Sequence, residues 1–65
     1  MEYLRLTNKG ITVIVIDQDN ANNSAWPYAI KYKQGSERFQ HWDSRTNLLS
    51  AINEAVDKFR NLNNL

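Results

Sequence analysis

The chain has 65 residues with no cysteine and one histidine, and eight Lys and Arg residues against seven Asp and Glu residues give it a net charge of +1. A chain this short can bury only one hydrophobic core, so we expect a single small domain over residues 1–65. The missing cysteines exclude disulfides and thiolate metal sites, and the near-neutral charge excludes a strongly basic nucleic-acid arm.

The chain begins with Met1-Glu2-Tyr3-Leu4-Arg5, which does not combine a basic stretch with a long apolar one. No apolar run elsewhere approaches the length that spans a membrane. We therefore expect a cytoplasmic protein that makes no membrane contact.

Two β-rich runs at residues 3–7 and 11–17 flank Asn8-Lys9-Gly10, which is typical of a hairpin with a three-residue loop. Pairing across such a loop places one set of side chains on a common face: Leu4, Leu6, Thr12, Ile14 and Ile16. The opposite face then carries Tyr3, Arg5, Ile11, Val13 and Val15. The second strand is apolar on both faces, which is typical of a strand inside a sheet.

One helix can cover only one face of such a sheet, so the apolar side chains of the other face would stay exposed. Contiguous exposed apolar patches usually mark interfaces, and a second copy of the chain is the simplest cover. This reasoning predicts a homodimer interface formed by Tyr3, Ile11, Val13 and Val15. Alternatively, the meander curls so that Trp26, Trp42 or the Asn-rich loop at residues 17–24 covers them within one chain.

Residues 26–33 and 37–42 flank Gln34-Gly35, a two-residue turn that predicts a second hairpin. Pairing across that turn gives four opposed pairs: Ile30 with Phe39 and Tyr28 with His41 on an apolar face, Lys31 with Arg38 and Ala29 with Gln40 on the outward face. The second hairpin therefore has one apolar face and one basic face.

Apolar residues spaced four, three, four and three apart predict an amphipathic helix from about Ser44 to Asn61. They are Leu48, Ile52, Ala55, Phe59 and Leu62. N-cap candidates occur between Asp43 and Thr46. The chain is therefore predicted to be an α+β domain, in which an antiparallel β-meander of two hairpins, with three to four strands, packs against one C-terminal amphipathic helix.

The residue types that carry catalysis are scarce. His41 is the only imidazole, and neither a cysteine nor a nucleophile motif accompanies it. The only glycines, Gly10 and Gly35, are too few for a glycine-rich phosphate loop. We therefore expect a non-enzymatic protein with no metal, cofactor or small-molecule substrate.

The outward face of the second hairpin is the most suggestive binding site. It combines cations, an amide and an aromatic ring with a cation at the helix start: Lys31, Lys33, Arg38, Gln40, Trp42 and Arg45. Cations attract phosphates, Arg and Gln side chains reach base edges, and an exposed Trp offers a stacking surface. The alternative is a solvated sheet face whose lysines protect an edge strand from aggregation.

The strand-to-helix junction RFQHWDSRTNLLSAINEAVDKF, residues 38–59, resembles two small-domain architectures in layout. One is the three-stranded sheet plus helix of the AP2 and integrase N-terminal DNA-binding domains, and this resemblance implies a sheet face that enters the DNA major groove. The other is the sheet-plus-helix layout of HicB-type antitoxins, which implies a protein partner. The glycine-rich strand ending of AP2 domains is absent, and a likeness of layout does not assign a function.

Two functions follow as expectations. The first is a small regulatory or accessory binding protein, of a kind that phages and mobile elements encode, which binds nucleic acid through the basic and aromatic hairpin face. The second is a protein-interaction module, such as an inhibitor, antitoxin or assembly factor, which acts as a homodimer through the apolar sheet face. The first requires salt-dependent affinity for nucleic acid, and the second requires an exposed apolar surface.

Overall fold

Four antiparallel strands and one helix occupy residues 1–18 and 25–64, the residues that the computed structural model describes. The strands are β1 (Glu2–Asn8), β2 (Ile11–Asp17), β3 (Tyr28–Gln34) and β4 (Gln40–Arg45), and they lie in the sheet in chain order. The helix, α1 (Leu48–Asn63), packs against one face of that sheet. This architecture confirms the predicted α+β meander with one C-terminal helix.

The turn between β1 and β2 sets the register of the first hairpin. Lys9 and Gly10 have φ values of 53° and 79°, and Asn8 pairs directly with Ile11. Positive φ at both central residues defines a two-residue loop of the kind that matches the twist of a hairpin. The predicted three-residue loop is therefore wrong, because Asn8 belongs to the strand.

This one-residue difference reverses the predicted faces of β2. Leu4 lies opposite Val15 and Leu6 lies opposite Val13, so the leucines share a face with the valines and not with Ile14. Because side chains alternate along a strand, a shift of one residue moves every side chain to the other face. The predicted grouping of the leucines with Thr12, Ile14 and Ile16 is wrong.

The core lies between α1 and the two central strands. Its fully buried members are Val13, Val15, Ile30, Ala51 and Ala55. Both helix residues in this set are alanines, whose small side chains let α1 lie close to β2 and β3. Larger side chains pack around them at the margin of the core: Tyr3, Leu4, Tyr28, Tyr32, Leu48, Phe59 and Leu62.

The second hairpin differs from its predicted form. Residues 35–39 connect β3 to β4, and Ile30 lies opposite Asp43 while Lys31 lies opposite His41, with an irregularity between the two pairs. The predicted two-residue turn and its four opposed pairs are therefore wrong. The physical reason is that Gln34 belongs to β3 and its carbonyl accepts a hydrogen bond from the Glu37 amide at 3.1 Å, so the chain turns at Gly35 and Ser36 and not at Gln34 and Gly35.

The start of the helix also differs from its predicted position. β4 extends to Arg45, so α1 begins at Leu48, four residues after the predicted start at Ser44. Asn47 is the N-cap, and its side chain accepts a hydrogen bond from the Ser50 amide at 3.2 Å. Asp43 and Ser44, which the sequence suggested as N-caps, therefore belong to β4 and pair with β3.

The predicted Asn-rich loop falls mainly on residues 19–24, outside the described residues. On either side of it, the Gln18 amide donates to the Pro27 carbonyl at 2.8 Å. Within residues 1–18 and 25–64, no helix has the length and apolar character that crossing a membrane requires.

Candidate functional site

The sheet face turned away from α1 carries the side chains that alternate with the core residues. One row crosses all four strands and contains Arg5, Ile14, Lys31 and His41. The next row, nearer the turns, contains Thr7, Thr12 and Lys33. Together with Phe39, which lies against these rows, we name this surface the open face: Arg5, Thr7, Thr12, Ile14, Lys31, Lys33, Phe39 and His41.

Phe39 is held on the open face by two cations. The Arg5 guanidinium carbon lies 6.0 Å from the centre of the Phe39 ring, and the Lys33 ammonium nitrogen lies 5.3 Å from it. Both distances fall within the range over which a cation is attracted to an aromatic ring. Residues from β1, β3 and the connection before β4 therefore meet at one aromatic side chain.

The open face is closely packed although α1 lies on the other side of the sheet. Ile14 and Thr12 are each only 5% exposed, and the Thr12 hydroxyl lies 3.2 Å from that of Thr7. Arginine and lysine can lay their apolar stems over such residues while their charged ends stay in water. The cations of the open face therefore lie over closely packed side chains of β2.

The charge of the open face is positive. Glu2 accepts two hydrogen bonds from the Arg5 guanidinium, at 2.8 and 3.0 Å, and this contact lowers the pKa of Glu2 and raises that of Arg5. Lys31 and Lys33 form no ion pair with any carboxylate of the described residues. Two of the three Lys and Arg charges on this face therefore remain available to an anionic ligand.

A polar corner adjoins the open face where β4 ends. The Ser44 hydroxyl lies 2.9 Å from His41 Nε2 and accepts a hydrogen bond from Nε2 of the Gln18 side chain at 2.7 Å. Trp26 is half exposed and lines a shallow depression beside them. This corner combines hydrogen-bonding groups with an aromatic surface, and the sequence alone did not indicate that these residues would meet.

The contact between Ser44 and His41 supplies two parts of a nucleophile site. A catalytic triad also requires a third group that orients the base. No residue within 1–18 and 25–64 forms a hydrogen bond with His41 Nδ1. The same residues contain no group of three His, Cys, Asp or Glu side chains placed to hold a metal ion.

The predicted binding residues are divided between the two sides of the sheet. Lys31 and Lys33 lie on the open face, and Arg38 is exposed in the connection between β3 and β4. Gln40 lies opposite Tyr32 and accepts a hydrogen bond from its hydroxyl at 3.3 Å, which places Gln40 on the side of α1. The expectation that Gln40 shares a surface with Lys31 is wrong, because β4 begins later than predicted.

Trp42 and Arg45 also lie on the side of α1. The Trp42 ring packs edge-on against Tyr32, and the Lys58 ammonium nitrogen lies 3.5 Å from its centre. Arg45 binds Glu54 of the helix and Asp43, the latter at 3.0 Å. Trp42 is nonetheless half exposed, so it is a margin residue of the helix side and not part of the core.

The pKa values of the two carboxyl groups around Arg45 are shifted in opposite directions. A hydrogen bond from Glu54 lowers the pKa of Asp43. Burial, together with the same hydrogen bond, raises the pKa of Glu54. This cluster connects β4 to α1, so Arg45 supports the fold where the sequence suggested a nucleic-acid contact.

The predicted homodimer interface is not an exposed patch. Val13 and Val15 are fully buried beneath α1. Tyr3 is half-buried, its hydroxyl donates to Asp17 at 2.6 Å, and its ring packs edge-on against Tyr28. Ile11 is half-buried at the start of β2. The expectation that these four residues form an open apolar surface is wrong for the same reason as the predicted register.

The chain matches no protein-family model, no curated protein and no solved structure.

Proposed function

We propose that this protein has a non-enzymatic role and binds nucleic acid through the open face. The observation that carries the proposal is the arrangement of Arg5, Lys31 and Lys33 on the side of the sheet opposite α1, with Phe39 between two of them. Phosphates supply the negative charge that such a face attracts, and contacts to them provide most of the affinity of simple nucleic-acid binding proteins.

Two further cations extend this surface beyond the sheet. Lys9 is exposed in the first turn and Arg38 is exposed in the connection between β3 and β4. The hydrogen bond from Gly35 to Gly10 brings these connections together at one end of the molecule. Cations that continue in one direction suit a polyanion better than a small anion, because a polyanion presents many phosphates along its length.

Salt-dependent binding tests the proposal directly. The affinity of a labelled mixed-sequence oligonucleotide, measured by fluorescence anisotropy, should fall steeply as salt rises. The triple variant Arg5→Gln, Lys31→Gln, Lys33→Gln should weaken binding, and the slope of log K against log salt should shrink by about 0.7 to 0.9 for each phosphate that the variant no longer neutralises.

The matched control changes a cation elsewhere on the molecule. Arg60 is exposed in the last turn of α1, on the opposite side of the sheet from the open face. Arg60→Gln should leave both the affinity and the salt slope close to those of the unmodified protein. If all four substitutions, made singly, behave alike, net charge and not the open face determines the affinity, and the proposal is wrong.

Protein binding is the second candidate function, and one observation favours it. Leu49 is 66% exposed on α1 and lines a shallow depression with Tyr28, Thr46 and Ile52. A second copy of the chain is the partner that can be tested first. Sedimentation equilibrium should then show self-association that resists salt and is abolished by Leu49→Glu. A protein that stays monomeric at both low and high salt would exclude self-association through Leu49.

A further inference from the structure

The position of Phe39 bears on which form of nucleic acid the open face accepts. Its ring is half-buried between the Arg5 guanidinium and the Lys33 ammonium group. An aromatic ring gains stacking energy from the flat face of a base, and only an unpaired base presents that face. In a duplex the bases are stacked on each other, and a protein reaches only their edges in the grooves.

We infer that the open face takes a single strand in preference to a duplex, with one base stacked on Phe39 and the neighbouring phosphates on Arg5, Lys31 and Lys33. This inference rests on the proposed function.

The width of the sheet argues against a duplex. Four strands about 4.8 Å apart place the axes of the outer strands roughly 14 Å from each other. The major groove is about 12 Å wide and admits a helix or a two-stranded ribbon. The four described strands cannot lie flat in that groove, so a duplex would meet only part of the open face.

The spacing of the cations suits an extended single strand. Lys31 and Lys33 are alternate residues of β3, so their backbone positions lie about 6.6 to 6.8 Å apart along the strand. Arg5 lies across β2 from Lys31, roughly 9.5 Å away at the backbone. Phe39 contacts Arg5 and Lys33, the two of these three cations whose backbone positions lie farthest apart. A base on the ring would thus have positive charge on both sides for the phosphates that flank it.

A base can take the place of one of the two cations beside the Phe39 ring, and the contact that this cation loses is replaced by another. In the free protein the ring is attracted to two cations. A base that stacks on the ring displaces one of them, and the displaced cation is then beside the phosphate of the same strand. One cation–π interaction is replaced by a charge–charge interaction, and the ring acquires a stacking partner.

Anisotropy with two probes tests the inference: a labelled twelve-nucleotide thymidine strand and a labelled twelve-base-pair mixed duplex. The unmodified protein should bind the single strand at least about tenfold more tightly. Phe39→Leu keeps apolar bulk but removes the ring, and should weaken single-strand binding by roughly 5- to 150-fold, the range expected when a base is deprived of its aromatic stacking partner. Duplex binding should change little.

Trp42→Leu is the matched control, because Trp42 is an exposed aromatic residue on the helix side of the sheet. It should leave single-strand affinity unchanged. Phe39→Trp retains an aromatic ring and should bind the strand as tightly as the unmodified protein. Circular dichroism and thermal melting show whether each variant is folded. If Phe39→Leu does not fold, the comparison of the two probes on the unmodified protein still decides whether the open face prefers a single strand, and a duplex bound as tightly as the strand overturns the inference.

The outcomes separate the inference from the proposed function. A duplex bound as tightly as the single strand, or equal effects of Phe39→Leu and Trp42→Leu, would overturn the single-strand inference while salt-dependent binding still supported the open face. Failure to bind either probe would overturn both. Preferential single-strand binding that depends on an aromatic residue at position 39 would support both.

Discussion

Lys9 and Gly10 both have a left-handed backbone conformation, but the energetic cost of that conformation differs between the two residue types. Both have positive φ, which glycine adopts freely and which side chains with a Cβ adopt at a cost of about 1–2 kcal/mol. A Cβ added at Gly10 would meet nothing closer than the Gly35 nitrogen at 3.9 Å. Any cost of substitution at Gly10 therefore comes from the backbone conformation and not from crowding.

Substitutions in this turn should move stability in opposite directions. Gly10→Ala should lower the free energy of unfolding by roughly 1 kcal/mol, because alanine is forced into the left-handed region. Lys9→Asn should raise it by a few tenths of a kcal/mol, because asparagine tolerates that region and Asn-Gly favours this turn. Urea unfolding followed by tryptophan fluorescence measures both. Equal stabilities for all three proteins would show that the turn does not constrain the hairpin.

At the scale of elements, the connection between β4 and α1 is ionic. Glu54 of the helix binds Arg45 of the strand and shares a hydrogen bond with Asp43. The pKa of Glu54 is raised, so its contribution to stability is complete below the ordinary glutamate value of about 4.3 and is lost as pH rises through the raised value. The pKa of Asp43 is lowered, so its contribution is present above the ordinary aspartate value and is lost as pH falls.

These opposite signs predict a maximum of stability in mildly acidic solution. The free energy of unfolding should fall as pH rises from about 4.3 through the raised pKa of Glu54. Glu54→Gln should remove that fall, because glutamine keeps hydrogen-bonding groups but does not titrate. Urea unfolding across pH 4 to 7 measures it, with Asp57→Asn as the control on the same helix. A fall that persists in Glu54→Gln would assign it to another group.

The sequence predicted the elements better than the relations between them. The helix was predictable because the spacing of Leu48, Ile52, Ala55 and Phe59 is a local property of the chain. Lys31 and Lys33 were correctly expected to share a surface for the same reason, since alternate residues of a strand face one way. The end of β4 was not predictable, because Asp43 and Arg45 are held by pairing with β3 and by contact with Glu54.

Two members of the candidate site, Arg5 and Phe39, could not be predicted from the sequence for the same reason. Arg5 and Phe39 join Lys33 only through the registers of both hairpins, and each register depends on a turn. Lysine rarely adopts positive φ, so Lys9 gave no indication of a two-residue turn. With the correct turn, the alternation along β1 places Arg5 on the same face as Lys31, and the valines move beneath the helix.

At the scale of the whole molecule, the location of charge matters more than its sum. The net charge of +1 conceals a separation, because the described ion pairs bind carboxylates to the N-terminus, Arg5 and Arg45 and leave Lys31 and Lys33 without one. Among these carboxylates, Glu2 is the one that neutralises a cation of the open face. It therefore limits the attraction of that face for phosphate.

Removal of the Glu2 charge should strengthen nucleic-acid binding. Glu2→Gln frees Arg5 from its carboxylate partner, and an interaction between unit charges in water is worth about 1 kcal/mol at 4 Å, so the affinity should rise up to roughly fivefold at low salt. The salt slope should also steepen as Arg5 becomes free to bind a phosphate. Asp57→Asn changes the net charge equally from a position on α1 and should have a much smaller effect. An equal increase in affinity in both variants, measured by anisotropy at matched salt, would show that the open face acts only through the total charge of the molecule.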